Sequence, residues 1–174
     1  MHGLSRQKVR SLGSPIAANF LQEIDAAELR ARGAGRNLSE SADAVSAAAA
    51  SGWLQITANA NSRPVKLHFA FIEHIADRIH FKVRSVTQGS YSGWQVDSSY
   101  SGFLGFYASV GDAVFWKIEP AGTYEGFGDQ RPAFFLRDHK GYTVKAVSES
   151  GITYLSTGGS GSPLLFTLDD YESY

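Results

Sequence analysis

Val65-Lys66-Leu67-His68-Phe69-Ala70-Phe71 alternates large apolar residues with polar or small ones, and Ile79-His80-Phe81-Lys82-Val83-Arg84 repeats the pattern a short way on. A period of two is the mark of a half-buried β-strand. The two runs predict a pair of strands joined by a loop around Glu73 to Arg78. Paired antiparallel, they place Lys66 and His68 on one face with His80, Lys82 and Arg84.

Downstream of Arg84, turn signals recur every 8–12 residues: Gly89, Gly93, Ser101-Gly102, Gly111-Asp112, Gly126 to Pro132, Lys140-Gly141, Ser150-Gly151 and Gly158 to Pro163. That rhythm predicts an all-β domain of many short strands. Aromatic residues at 13% and 18 glycines point the same way.

Upstream, the pattern reads differently. Ser14-Pro15 is a helix start, and Ile16, Phe20 and Ile24 follow four apart, with Ala27 and Ala31 continuing the stripe. Gly33 and Gly35 end it. Asn37 with Glu40 forms a second capping pattern ahead of an alanine-rich stretch that stops at Gly52. The expected organisation is therefore a basic tail and helical segment over 1–51, followed by an all-β domain over 52–174. The Ile16, Phe20 and Ile24 stripe is expected to dock on the β body.

The β region repeats itself. Phe81, Val83 and Arg84 match Phe134, Leu136 and Arg137. Gly93-Trp94-Gln95-Val96 matches Gly141-Tyr142-Thr143-Val144, and Phe115-Trp116-Lys117-Ile118-Glu119 matches Leu165-Phe166-Thr167-Leu168-Asp169. Trp94 is thus expected to coincide with Tyr142, and Trp116 with Phe166. This repeat, spanning about 90 residues, resembles the four-stranded unit of a β-trefoil of the fascin-like kind. The resemblance implies a β-trefoil-like domain of short antiparallel strands. A third unit would need its first strand where the helices are read, so a β-sandwich stays open as the alternative. The Gln-x-Trp signature of ricin-B lectins is absent, so no sugar-binding residue carries over from that group.

Composition bounds the chemistry. A net charge of −1 gives no global attraction to nucleic acid. The absence of cysteine removes thiol catalysis, disulfides and Cys-ligated metals. There is no long apolar run for a membrane helix and no apolar core of a signal peptide. No nucleophile elbow, phosphate loop or dinucleotide fingerprint occurs. His68, His74 and His80 recur every six residues without a known zinc spacing, so neither metal nor cofactor is expected.

Two surfaces could bind a ligand. Lys66, His68, Lys82 and Arg84 concentrate positive charge suited to a phosphate, a sulfated sugar or an anionic headgroup. Trp94, Tyr100, Tyr107 and Tyr124 lie among glycines and serines, as in many sugar sites. The aromatic set is the expected site, because salt does not screen aromatic contact. The function expected is a non-enzymatic binding module for a carbohydrate or a protein surface. The rival is a small membrane-acting, toxin-like protein using the amphipathic helix at a membrane surface.

Overall fold

The computed structural model describes residues 24–33, 43–48, 51–57, 64–76, 78–87, 89–121 and 133–173. Among these there are twelve strands and no helix. They are β1 (Ile24–Gly33), β2 (Asp43–Ala47), β3 (Leu54–Thr57), β4 (Lys66–Ile75), β5 (Arg78–Ser85), β6 (Gln95–Ser98), β7 (Leu104–Tyr107), β8 (Trp116–Pro120), β9 (Phe134–Asp138), β10 (Lys145–Glu149), β11 (Ile152–Ser156) and β12 (Ser162–Ser173).

The sheet is antiparallel and closed. The β4–β5 pairing joins ten strands into one circuit, and β1–β12 shortens it to an inner ring of β1, β4, β5, β8, β9 and β12. A ring leaves no open strand edges, so the two-sheet sandwich is not the arrangement. The hairpins β2–β3, β6–β7 and β10–β11 lie outside this ring. They join one another through β3–β11 and the bridges Trp53–Gly105 and Phe103–Ser156.

Register repeats around the ring. Three pairs match within consecutive stretches: Ala27–Leu67, Phe81–Trp116 and Phe134–Phe166. Three more match between them: Leu29–Leu168, Val83–Phe69 and Leu136–Ile118. All twelve side chains are buried and form two belts of the core. Fully burying one such large side chain contributes roughly 1.5–3 kcal/mol. The same register makes Trp116 equivalent to Phe166, as the repeat predicts. Trp94 and Tyr142 also correspond. Ser85 N donates to Trp94 O at 2.8 Å, and Asp138 N donates to Tyr142 O at 3.0 Å. Gly93 and Gly141 before them share a positive φ of 81° and 97°.

The hairpins carry a third echo. Leu54, Leu104 and Leu155 are buried, and the residues before them form an aromatic triad. Trp53 and Phe103 stack at 5.0 Å, while Tyr154 stands edge-on to both at 5.7 and 5.4 Å.

The helical expectation is corrected where it can be compared. Ile24–Gly33 is strand β1, and Asp43–Ala47 is strand β2. Ala27, Leu29 and Ala31 are buried while Glu28 and Arg30 are half-buried. That is a period of two. The cause is tertiary: β1 pairs with β12 along one side and with β4 and then β2 along the other, and such pairing overrides local propensity. Strand pairing therefore crosses Gly52 without a break. Ile16 and Phe20 lie outside the described residues. The loop expected from Glu73 to Arg78 is shorter, since pairing continues to Ile75–Arg78.

Candidate functional site

The outer face of β4 and β5 is concave. His68 and Ala70 from β4, Lys82, Val83 and Arg84 from β5, Gln95 from β6 and Asp112 from the segment before β8 line a cleft of about 290 Å³. Alternation puts Phe69 and Val83 inward and the polar neighbours outward, so the same pattern that builds the core builds the cleft.

Its charged groups are held in place. Arg84 Nε donates to His68 Nδ1 at 3.0 Å, and the His68 side chain is buried. Lys82 Nζ donates to the main-chain oxygen of Asp112 at 2.7 Å, which ties the segment before β8 to the cleft. No carboxylate among the described residues forms an ion pair with Lys82 or Arg84. Gln95 pairs across to Arg84 on one side and Tyr107 on the other. The row His68, Arg84, Gln95, Tyr107 thus crosses four adjacent strands.

Three of the four expected basic residues meet here. Lys66 does not line the cleft; it stands across from Glu28 of β1, and its main-chain nitrogen donates to Thr87 Oγ1 at 2.7 Å. The aromatic set does not gather. Trp94 turns toward the core and meets Tyr91 edge-on at 5.3 Å. Tyr100 is fully exposed in the β6–β7 turn. Tyr107 is partly covered, and burial pushes its hydroxyl pKa upward, helped by the charge of Asp97 and opposed by a hydrogen bond from Ser99. Tyr124 lies outside the described residues. No ring contact joins Trp94, Tyr100 and Tyr107.

Gln95, Asp112 and Ala70 were not singled out as site residues from the sequence. Gln95 was legible only through the repeat, and Asp112 only as a turn residue.

The three histidines go separate ways. His68 serves Arg84. His80 meets Glu73 at 3.1 Å and Phe115 at 4.7 Å between rings. His74 pairs with Ile79. Among the described residues no three metal-ligating side chains converge.

A second polar cluster lies around the ring. Glu119 Oε2 accepts from Arg78 and Arg137, and Arg137 Nη1 also donates to Gly141 O at 3.1 Å and Thr143 Oγ1 at 2.7 Å. Both guanidinium groups are anchored on this carboxylate, and Arg137 on Gly141 and Thr143 as well, so this is a structural clamp rather than a receptive surface.

Comparison with protein-family models, with curated proteins and with solved structures finds no match to this chain.

Proposed function

We propose that the closed barrel is a β-trefoil and that the protein is a non-enzymatic binding module for carbohydrate, with its ligand in the cleft of His68, Lys82, Arg84, Gln95 and Asp112. The threefold register of the core pairs supports the trefoil reading: a six-stranded ring carrying three hairpins is how three four-stranded units close on themselves. The observation that carries the function is the cleft. Three strands of a closed sheet hold its donors and acceptors in fixed positions, which lowers the ordering cost of binding. Its volume sits at the lower edge of the roughly 300–1,000 Å³ usual for small-molecule sites. Arg84, Lys82 and the Gln95 amide offer donors, and Gln95 and Asp112 offer acceptors, the mixture that sugar hydroxyls need.

The same lining argues for binding rather than hydrolysis. A glycosidase sets two carboxyl groups across the scissile bond. Among the described residues that line the cleft, Asp112 is the one acidic residue, and the one histidine, His68, spends Nδ1 on Arg84. The membrane-acting reading leaned on an amphipathic helix whose residues from Ile24 onward are strand.

A glycan array probed with the labelled full chain tests the proposal. Retention on a defined subset of glycans, lost on Arg84→Ala, is the expected result. Absence of retention on every glycan would overturn it.

A further inference from the structure

Three arginines occupy one register position around the ring. Arg30 pairs with Thr167 and Ala44, Arg84 with His68 and Gln95, and Arg137 with Lys117 and Thr143. Each thus sits between the last strand of one four-stranded stretch and the second strand of its own. Two of the three have a carboxylate. Arg30 meets Glu28 at 3.0 Å, and Arg137 is held by Glu119.

Arg84 differs, and register shows why. Leu136, just before Arg137, pairs with Ile118, and Glu119 follows. Val83, just before Arg84, pairs with Phe69, and Ala70 follows. Ala70 therefore stands where Glu119 stands, and it lines the cleft. A side chain that supplies a carboxylate at one arginine is cut back to a methyl group at the other, leaving open space beside the guanidinium. Lys82, directly across from Ala70, adds a second cation, where the equivalent position beside Glu119 is Phe135.

We infer that the cleft is an oxyanion site, in which a sulfate or phosphate ester of the ligand takes the place beside Arg84 that Glu119 takes beside Arg137. The bond from Arg84 Nε to His68 fixes the guanidinium plane and leaves its terminal nitrogens to the ligand. The Lys82 ammonium, with one donor on Asp112 O, has two more to give. Charge-assisted hydrogen bonds to an oxyanion are the strong ones, and a planar guanidinium suits them. Asp112 brings one negative charge to the lining, which disfavours a second anionic group, so the fitting ligand carries one oxyanion beside neutral hydroxyls. On the carbohydrate reading, from which this inference takes its carrier, that is a singly sulfated sugar.

Titrating the full chain with a sulfated disaccharide, its desulfated counterpart, inorganic phosphate, and vesicles containing phosphatidylserine tests it. Calorimetry and amide NMR shifts give the readout. The sulfated sugar is expected to bind at least tenfold tighter than the desulfated one, more weakly as salt rises, with shifts centred on Lys82 and Arg84. Arg84→Gln and Lys82→Ala should each weaken it at least tenfold. Ala70→Glu should abolish it by supplying the carboxylate from within, at an unchanged or raised thermal midpoint. Equal affinity for sulfated and desulfated sugar, or unchanged affinity in both Arg84→Gln and Lys82→Ala, overturns the inference and leaves the carbohydrate reading standing. Phosphate or vesicle binding that needs Arg84, with neither sugar bound, upholds the oxyanion site and removes the carbohydrate reading.

Discussion

Arg84 and Arg137 hold the same register in consecutive repeats but meet different neighbours: Glu119 bonds Arg137, and Ala70 stands where its counterpart would meet Arg84. One arginine is consumed by the fold, and the other looks into a cleft. That contrast separates positions whose loss should cost stability from positions whose loss should cost binding.

Glu119→Gln tests the first kind. The carboxylate is 22% exposed and gathers Arg78 and Arg137, which are 34% and 26% exposed. Exposed pairs are worth about 0–1 kcal/mol and breaking buried ones costs about 3–5. This clamp lies between, so a loss of roughly 1–2 kcal/mol is expected, shrinking at high salt. Urea unfolding at two ionic strengths measures it. No loss at either would mean that the clamp is ornamental.

Trp116 is the largest fully buried side chain, and its indole nitrogen donates to Val96 O at 2.9 Å. Trp116→Ala should lose about 3–5 kcal/mol through the cavity. Trp116→Phe keeps most of the volume and leaves the Val96 carbonyl without that donor, a cost of roughly 1–3 kcal/mol. Chemical denaturation of both variants checks the order, and a Phe variant as damaged as Ala would show that the hydrogen bond outweighs the volume.

Two glycines with nearly the same backbone angle should respond differently to alanine. Gly102 has φ +94°, and an added Cβ would lie 2.6 Å from Gly158 N and 2.9 Å from Gly158 Cα. Gly141 has φ +97° with nothing within 4 Å of that position. Gly141→Ala should cost only the left-handed penalty of roughly 1–2 kcal/mol. Gly102→Ala adds a backbone clash where Thr157 N donates to Gly102 O at 2.9 Å. Thermal melts of the pair decide; equal losses would mean that the two hairpins can part at no cost.

Tyr107 sets a pH dependence at the alkaline end. Its hydroxyl pKa is raised above the ordinary tyrosine value of about 10, by burial first and by Asp97 second. The unfolded chain therefore releases this proton at lower pH than the folded one. The stabilising difference is whole below pH 10 and is lost as pH rises through the raised folded value. Asp97→Asn should lower the folded midpoint without restoring the ordinary one, since burial remains. Tyrosine absorbance against pH in the two proteins measures the shift, and coincident curves would sink the attribution to Asp97.

Much of the β architecture was legible where side chains are large. Phe69, Phe71, Phe81 and Val83 announce their strands because each alternation swaps a bulky apolar group for a polar one. The repeat was legible because Gly93-Trp94 and Gly141-Tyr142 carry a backbone requirement and a large ring together. β1 was not. Ala27-Glu28-Leu29-Arg30-Ala31 alternates too, yet alanine carries a weak apolar signal, and Ala, Glu, Leu and Arg are all good helix formers. The cleft was half legible: Lys82 and Arg84 show in the sequence, but the void depends on Ala70 facing them, and only register reveals that.

The clearest test of the corrected N-terminal reading is truncation. An independent β domain over 52–174 would fold without what precedes it. In this structure β1 fills the gap between β4 and β12, and Ala27, Leu29 and Ala31 contribute buried side chains to the interior. Removing residues 1–51 leaves β4 and β12 as open edges and uncovers Leu67, Phe166 and Leu168, which β1 pairs against. The fragment is therefore expected to aggregate or to show no cooperative melt. In the full chain, Leu29→Ala should cost about 2–5 kcal/mol, as for other buried leucines, whereas a leucine on a separate docked segment would matter little to the melt of the β body. Circular dichroism melts of the fragment and the point variant measure both. A cooperative transition for 52–174, with Leu29→Ala neutral, would return the first 51 residues to the status of an appendage.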